Sequence, residues 1–97
     1  MAAPNLPPLP ARLTHLEADA FVRRCQDVVA AAAEDSAGTV WCIDARALQV
    51  FDSSVLAALL AVARLAQRRG ARLKVQSMPD RLRALATLYG VSELLPA

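Results

Sequence analysis

Three consecutive segments near the middle of the chain constrain the fold most. Thr39 to Asp44 is a short apolar run whose β-branched and aromatic content suits a buried strand better than one helical turn. After a loop of mixed polarity, Asp52, Ser53 and Ser54 open a long apolar segment that runs to Arg69 and stops at Gly70. Arg72 to Ser77 (RLKVQS) then alternates as a strand does. Asp and Ser carry side-chain oxygens that accept from the free N–H groups of a first helical turn, and glycine readily adopts the left-handed backbone that closes a helix. Two strands joined by a helical crossover make a right-handed βαβ unit, so these two strands are expected to be parallel and adjacent.

The flanking segments fit around that unit. Thr14 and Glu17 form a T-x-x-E capping box, which predicts an amphipathic helix from about His15 to Ala33. Phe21, Val22, Cys25, Val28, Val29 and Ala32 share its apolar face. Glu34 to Gly38 (EDSAG) is turn chemistry that ends this helix. Nothing polar alternates through Val40, Trp41, Cys42 and Ile43, so both faces of that strand are expected to be covered. Ser77 and Asp80 bracket Pro79 as a second helix start, with Leu82, Leu85, Leu88 and Tyr89 turned inward and Gly90 as the stop. Val91 to Leu95 is apolar enough to dock as a short turn, which Pro96 ends. Residues 1–10 hold four prolines and read as a partly disordered arm, with at best an edge strand near Leu9 to Leu13. Residues 11–97 read as one domain. The expected class is α/β, a small mixed sheet of about three to four strands flanked by about four helices.

Composition excludes several functions. With 97 residues there is room for a single core, and 56 % hydrophobic residues with only 4 % aromatics mean that Leu, Val and Ala on helices must build it. A net charge of +2, with arginines spread over three segments, does not suit nucleic acid. Cys25 and Cys42 have no neighbouring Cys or His at metal-ligand spacing and read as small core hydrophobes. The proline-rich start lacks the apolar stretch of a secretory signal. The longest apolar run, Val55 to Ala63, is far short of the ~20 residues of a membrane span. The expectation is a soluble cytoplasmic chain without direct membrane insertion. His15 is the single histidine and reads as a surface residue; Ser53 has no evident base, and neither paired carboxylates nor a glycine-rich phosphate loop is present. No catalytic residue, cofactor or metal is expected.

Around the long helix, Val55, Leu56, Leu59, Leu60, Val62, Ala63 and Ala66 form the sector that must face the sheet. The opposite sector holds Ser54, Ala57, Ala58, Ala61, Arg64, Leu65 and Arg68. Small residues let another helix approach closely, and guanidinium groups at the edge offer directional contacts to carboxylates. Asp52, Ser53, Ser54, Ala57, Ala58, Ala61, Arg64 and Arg68 are therefore the candidate partner-binding residues. A blander reading is open as well: alanine is the best helix former, and Asp52 or Ser53 is a helix cap and nothing more.

The order strand, loop, Asp-Ser-Ser, long helix, strand, helix resembles the STAS domain family over roughly Trp41 to Pro96. In that family a strand ends in Asp near Asp44, and a D-S-[ST]-G or D-T-G-G motif, matched by Asp52, Ser53 and Ser54, starts the helix. Cys42 to Asp44 (CID), LAQRRGARLKVQ and above all the C-terminal LATLYGVSELLP look like the MlaB group. That resemblance implies a small sheet flanked by helices and no catalytic apparatus. It implies docking on an MlaF-like ATPase subunit of a phospholipid-transporting ABC complex that maintains outer-membrane lipid asymmetry, peripheral to the inner membrane through that partner. The hydroxyl after the motif Asp, Ser53 here, would lie near the contact. For the anti-sigma-factor antagonists of the same family the resemblance implies a kinase-accessible Ser53 or Ser54, whose phosphorylation releases an anti-sigma factor. The chain departs from the pattern in two places. Val55 replaces the glycine that closes the motif and is expected to crowd a kinase, and prolines stand where the family has a first strand.

Overall fold

The computed structural model describes residues 4–32 and 38–94. Along the chain they form β1 (Arg12–Leu13), α1 (Ala18–Ala31), β2 (Val40–Asp44), β3 (Val50–Phe51), α2 (Ser54–Arg68), β4 (Arg72–Gln76), α3 (Asp80–Leu88) and a 3-10 turn (Ser92–Leu94). This is the α/β architecture expected, with three α-helices and the 3-10 turn among the described residues. The four strands form two parallel pairs. β2 runs beside β4 from Val40 opposite Arg72 to Asp44 opposite Gln76, so the βαβ unit is as the sequence implies. β1 pairs with β3, Arg12 opposite Val50 and Leu13 opposite Phe51. The expected disorder of the first residues, the end of the first helix at Ala33, most of the EDSAG turn and the stop at Pro96 lie outside the described residues.

One side of the strands is the core. Leu13, Trp41, Ile43, Leu73 and Val75 point inward and are buried. They meet Phe21, Cys25 and Val29 of α1, Val55, Leu59, Val62 and Ala66 of α2, and Leu82 and Ala86 of α3. The heptad-like spacing of those helical residues is what lets each helix lay a single stripe on the sheet. No described helix is long and apolar enough to cross a membrane.

The other side of the strands is bare, contrary to the expectation that both faces are covered. β2 and β4 alternate in burial, leaving Val40 49 % exposed, Cys42 exposed, and Arg72, Lys74 and Gln76 beside them. Cys42 is thus a surface residue, while Cys25 is in the core as expected. Two of the outward positions of β2, Val40 and Cys42, happen to be apolar, which hid the alternation; the register places Cys42 opposite Lys74 and so fixes which face both occupy. Parallel sheets are normally covered on both faces, so this one-sided arrangement is unusual.

The arm belongs to the core. Leu6 and Leu9 are buried, and the Leu9 N–H donates at 2.9 Å to the carbonyl of Asp44, the last residue of β2. The prolines leave donors only between them, and Leu9 supplies the one that reaches the strand. The loop expected between β2 and α2 contains β3, held by donations from Gln49 and Val50 N–H to the Ala11 carbonyl at 2.8 and 2.9 Å.

Helix ends differ in detail from the sequence reading. The Glu17 carboxylate reaches back to accept from the Thr14 N–H at 2.8 Å, one half of the capping box, but residues 15–17 form a turn and α1 starts at Ala18. Ser77 does not cap α3. It follows β4 in the left-handed region (φ 55°), and Pro79 is the extended residue before Asp80. At the end of α2, Gly70 (φ 72°) donates to Gln67 and Ala71 donates to Ala66, the paired bonds of a Schellman stop. Gly90 ends α3 with the same pairing, to Thr87 and, from Val91, to Ala86.

Candidate functional site

The start of α2 is organised by Asp52. Its Oδ1 accepts from the Ser54 N–H at 2.8 Å, and its Oδ2 accepts from the His15 N–H at 3.1 Å, with His15 Nδ1 3.4 Å away. One carboxylate therefore satisfies a free donor of the first turn of α2 and ties down the segment that leads into α1. In hydrogen-bonding terms the cap is Asp52. The Ser54 N–H bond is the main cause that holds the Asp52 carboxyl down to about 2, and the His15 N–H adds to it. The Ser53 side chain makes no capping bond.

The two serines face different ways. Ser54 is half-buried and lines an open groove between α1 and α2 of about 540 Å³, with His15, Asp19, Val22, Ala57 and Ala61. Ser53 is exposed and lines a different groove, of about 470 Å³, with Phe51, Arg81, Leu85, Leu88 and Tyr89. Of the two hydroxyls, that of Ser53 is the outward one.

The sector of small residues along α2 is not an open surface. Ser54, Ala57, Ala58 and Ala61 form one wall of the groove whose other wall is α1, and Ala58 at 2 % exposure is not a surface residue. The small side chains admit α1, an intramolecular neighbour the local sequence could not reveal. Arg64 lies round the helix, lining a third groove with Leu60, Ala63, Arg72 and Leu73, and Arg68 is exposed. Of the eight candidate residues, Asp52 and Ser53 share a groove, three alanines and Ser54 share another, and the arginines belong to neither.

The sequence reading missed the α3 side. Leu88 is 79 % exposed and Tyr89 58 % exposed, although both were expected inward. At about 100° per residue Leu88 lies roughly 120° around the helix from Leu82, so the angle was available from the spacing. Tyr89 shares the angle of Leu82 but is the C-cap residue, past the last turn that packs. Arg81 stacks its guanidinium over the Phe51 ring at 4.9 Å and closes one end of the groove. Val55, expected to crowd a kinase approaching the serine, is fully buried, and Ser53 is exposed.

The arrangement has an exposed hydroxyl at a helix start beside two large exposed apolar side chains. Among the described residues, no group of three or more His, Cys, Asp or Glu could hold a metal ion. The family model described as "Mlab, STAS domain" matches residues 9–96. No curated protein and no solved structure matches the chain.

Proposed function

The chain belongs to the STAS domain family named for MlaB, and on that premise we infer that it is a non-enzymatic accessory subunit that docks on the ATPase of a phospholipid-moving ABC transporter. The observation that carries this reading is the pairing of a free Ser53 hydroxyl with exposed Leu88 and Tyr89 on one groove. Large apolar and aromatic side chains surrounding a small polar centre are what a protein partner desolvates. The contact centres on Ser53 and α3. Ala57 and Ala61 flank it across α2, and Arg64 and Arg68 are peripheral to it. The subunit is cytoplasmic and reaches the inner membrane through its partner.

The test is pull-down and titration with the cognate ATPase subunit. Tyr89→Ala and Leu88→Asp each weaken binding at least about tenfold, as interface anchors do. Their circular dichroism and unfolding midpoints stay those of the parent, because both side chains are exposed. Undiminished binding by both folded variants overturns the proposal.

A second reading, an anti-sigma-factor antagonist switched by phosphorylation, gains from one observation: buried Val55 leaves Ser53 open to a kinase. A phosphate there would bring about −1.5 to −2 charges to the positive end of α2, which the helix tolerates and an acidic partner does not. Intact-mass measurement on protein from its native host separates the two. A phosphorylated Ser53 under some growth state favours the switch, and unmodified protein throughout favours static docking.

A further inference from the structure

The outward face of β2 and β4 is made by Val40, Cys42 and Asp44 of one strand and Arg72, Lys74 and Gln76 of the other. The register sets Val40 beside Arg72 and Cys42 beside Lys74, so the face is apolar along β2 where it is cationic along β4. Val40 is 49 % exposed, and Cys42, Arg72 and Lys74 are exposed with it. Asp44, the carboxylate of this face, is engaged by Arg46: it accepts from the Arg46 N–H at 2.8 Å and lies 3.9 Å from the guanidinium. Arg72 and Lys74 have no ion-pair partner among the described residues. Parallel strands almost always carry a covering layer on both faces, because their crossovers lay helices there. In this pair the core side alone has one.

Size and charge together select the occupant. Two strands of five residues, at about 3.3 Å a residue and about 4.8 Å apart, make a face roughly 16 Å long and 10 Å wide. That is the footprint of a single helix, about 10–12 Å across and about three turns long. A lipid surface is entered by Trp, Phe or Leu side chains, whereas this face offers only Val40 and Cys42. A second copy of the chain would bring the same two free cations and no free carboxylate to meet them. Carboxylates are what guanidinium and ammonium groups bind most strongly. We propose that this face docks an acidic amphipathic helix of a partner protein, its apolar stripe on Val40 and Cys42 and its Asp or Glu side chains over Arg72 and Lys74. The incoming helix supplies the second layer that the chain itself does not lay on these strands. The surface shares no residue with the Ser53 groove, so this contact stands or falls independently of the docking proposed above.

The probe is a synthetic helix held by a hydrocarbon staple, with leucines along one stripe and glutamates along one flank; its counterpart carries lysine in place of each glutamate. In amide NMR of the whole chain the glutamate peptide moves the signals of Val40 to Asp44 and Arg72 to Gln76, and it slows the addition of maleimide to Cys42. The lysine peptide binds at least about tenfold more weakly, since like charges then meet across the contact. Arg72→Glu combined with Lys74→Glu reverses the order of the two peptides. Lys74→Glu alone, at an exposed position, weakens the glutamate peptide and decides the matter should the double variant not fold. Unmoved strand signals, equal binding of the two peptides, undiminished binding of the glutamate peptide by Lys74→Glu, or shifts centred on Leu88 and Tyr89 instead of the strands overturns the proposal. So does a Cys42 that phosphatidylglycerol vesicles shield when the glutamate peptide does not, since the face would then be a lipid contact. Self-association that shields Cys42 as the protein is concentrated, read by sedimentation, overturns it in favour of a second copy.

Discussion

Asp52 joins two parts of the chain that are 37 residues apart, the His15 turn and the first turn of α2. Its carboxyl is held down from 3.8 to about 2, so the charged form is favoured by folding. The stability this contributes is fully present above the unfolded value and is lost as pH falls through the folded one, that is, between about pH 4 and pH 2. Glu17 is held low in the same direction, chiefly by the Thr14 N–H, and adds to the same acid loss. Urea unfolding across this range should show Asp52→Asn losing less stability on acidification than the parent, because the amide still accepts hydrogen bonds but does not titrate. At this scale Asp52-Ser53-Ser54 was visible in the sequence as a helix start. Which of them caps was not, because Asp and Ser are both favoured caps and only the Ser54 N–H bond to Asp52 separates them; that Asp52 also holds His15 lay outside any local window.

The strands and helices of the βαβ unit were readable because each carries its own period and its own stop. α2 begins within a residue of the expected Ser53 and runs to Arg68, with Gly70 closing it, and β4 runs as the alternation of RLKVQ says. β3 left no trace, since two residues held through their backbones to Ala11 impose no side-chain pattern. The end of α3 rests on Gly90, where φ is 70° and an added Cβ would meet nothing within 4 Å. Gly90→Ala should therefore cost only the backbone strain of a left-handed alanine, about 1–2 kcal/mol. Denaturant unfolding measures it, and a loss confined to that range with an unchanged m-value shows that no packing was disturbed.

For the molecule as a whole, the N-terminal arm is the largest departure from the sequence reading. Four prolines suggested a loose leader, yet Leu6 and Leu9 complete the core beside Leu13. The burial depends on tertiary neighbours that composition does not announce. Leu9→Ala should cost about 2–5 kcal/mol, as for other fully buried leucines. That is a large share of the ~5–15 kcal/mol typical of a domain. A chain begun at Ala11, which lacks both leucines, should unfold at a markedly lower temperature than the parent in thermal circular dichroism.

The bare side of the strand pair supplies a chemical handle. Burial pushes the Cys25 thiol up to about 11 and shields it, while Cys42 opens to water. Maleimide on the native chain should add once, at Cys42, and twice after denaturation, as intact mass will read. A dye fixed there, on the surface turned away from every helix, would report on bodies approaching the strands while leaving Ser53, Leu88 and Tyr89 chemically untouched.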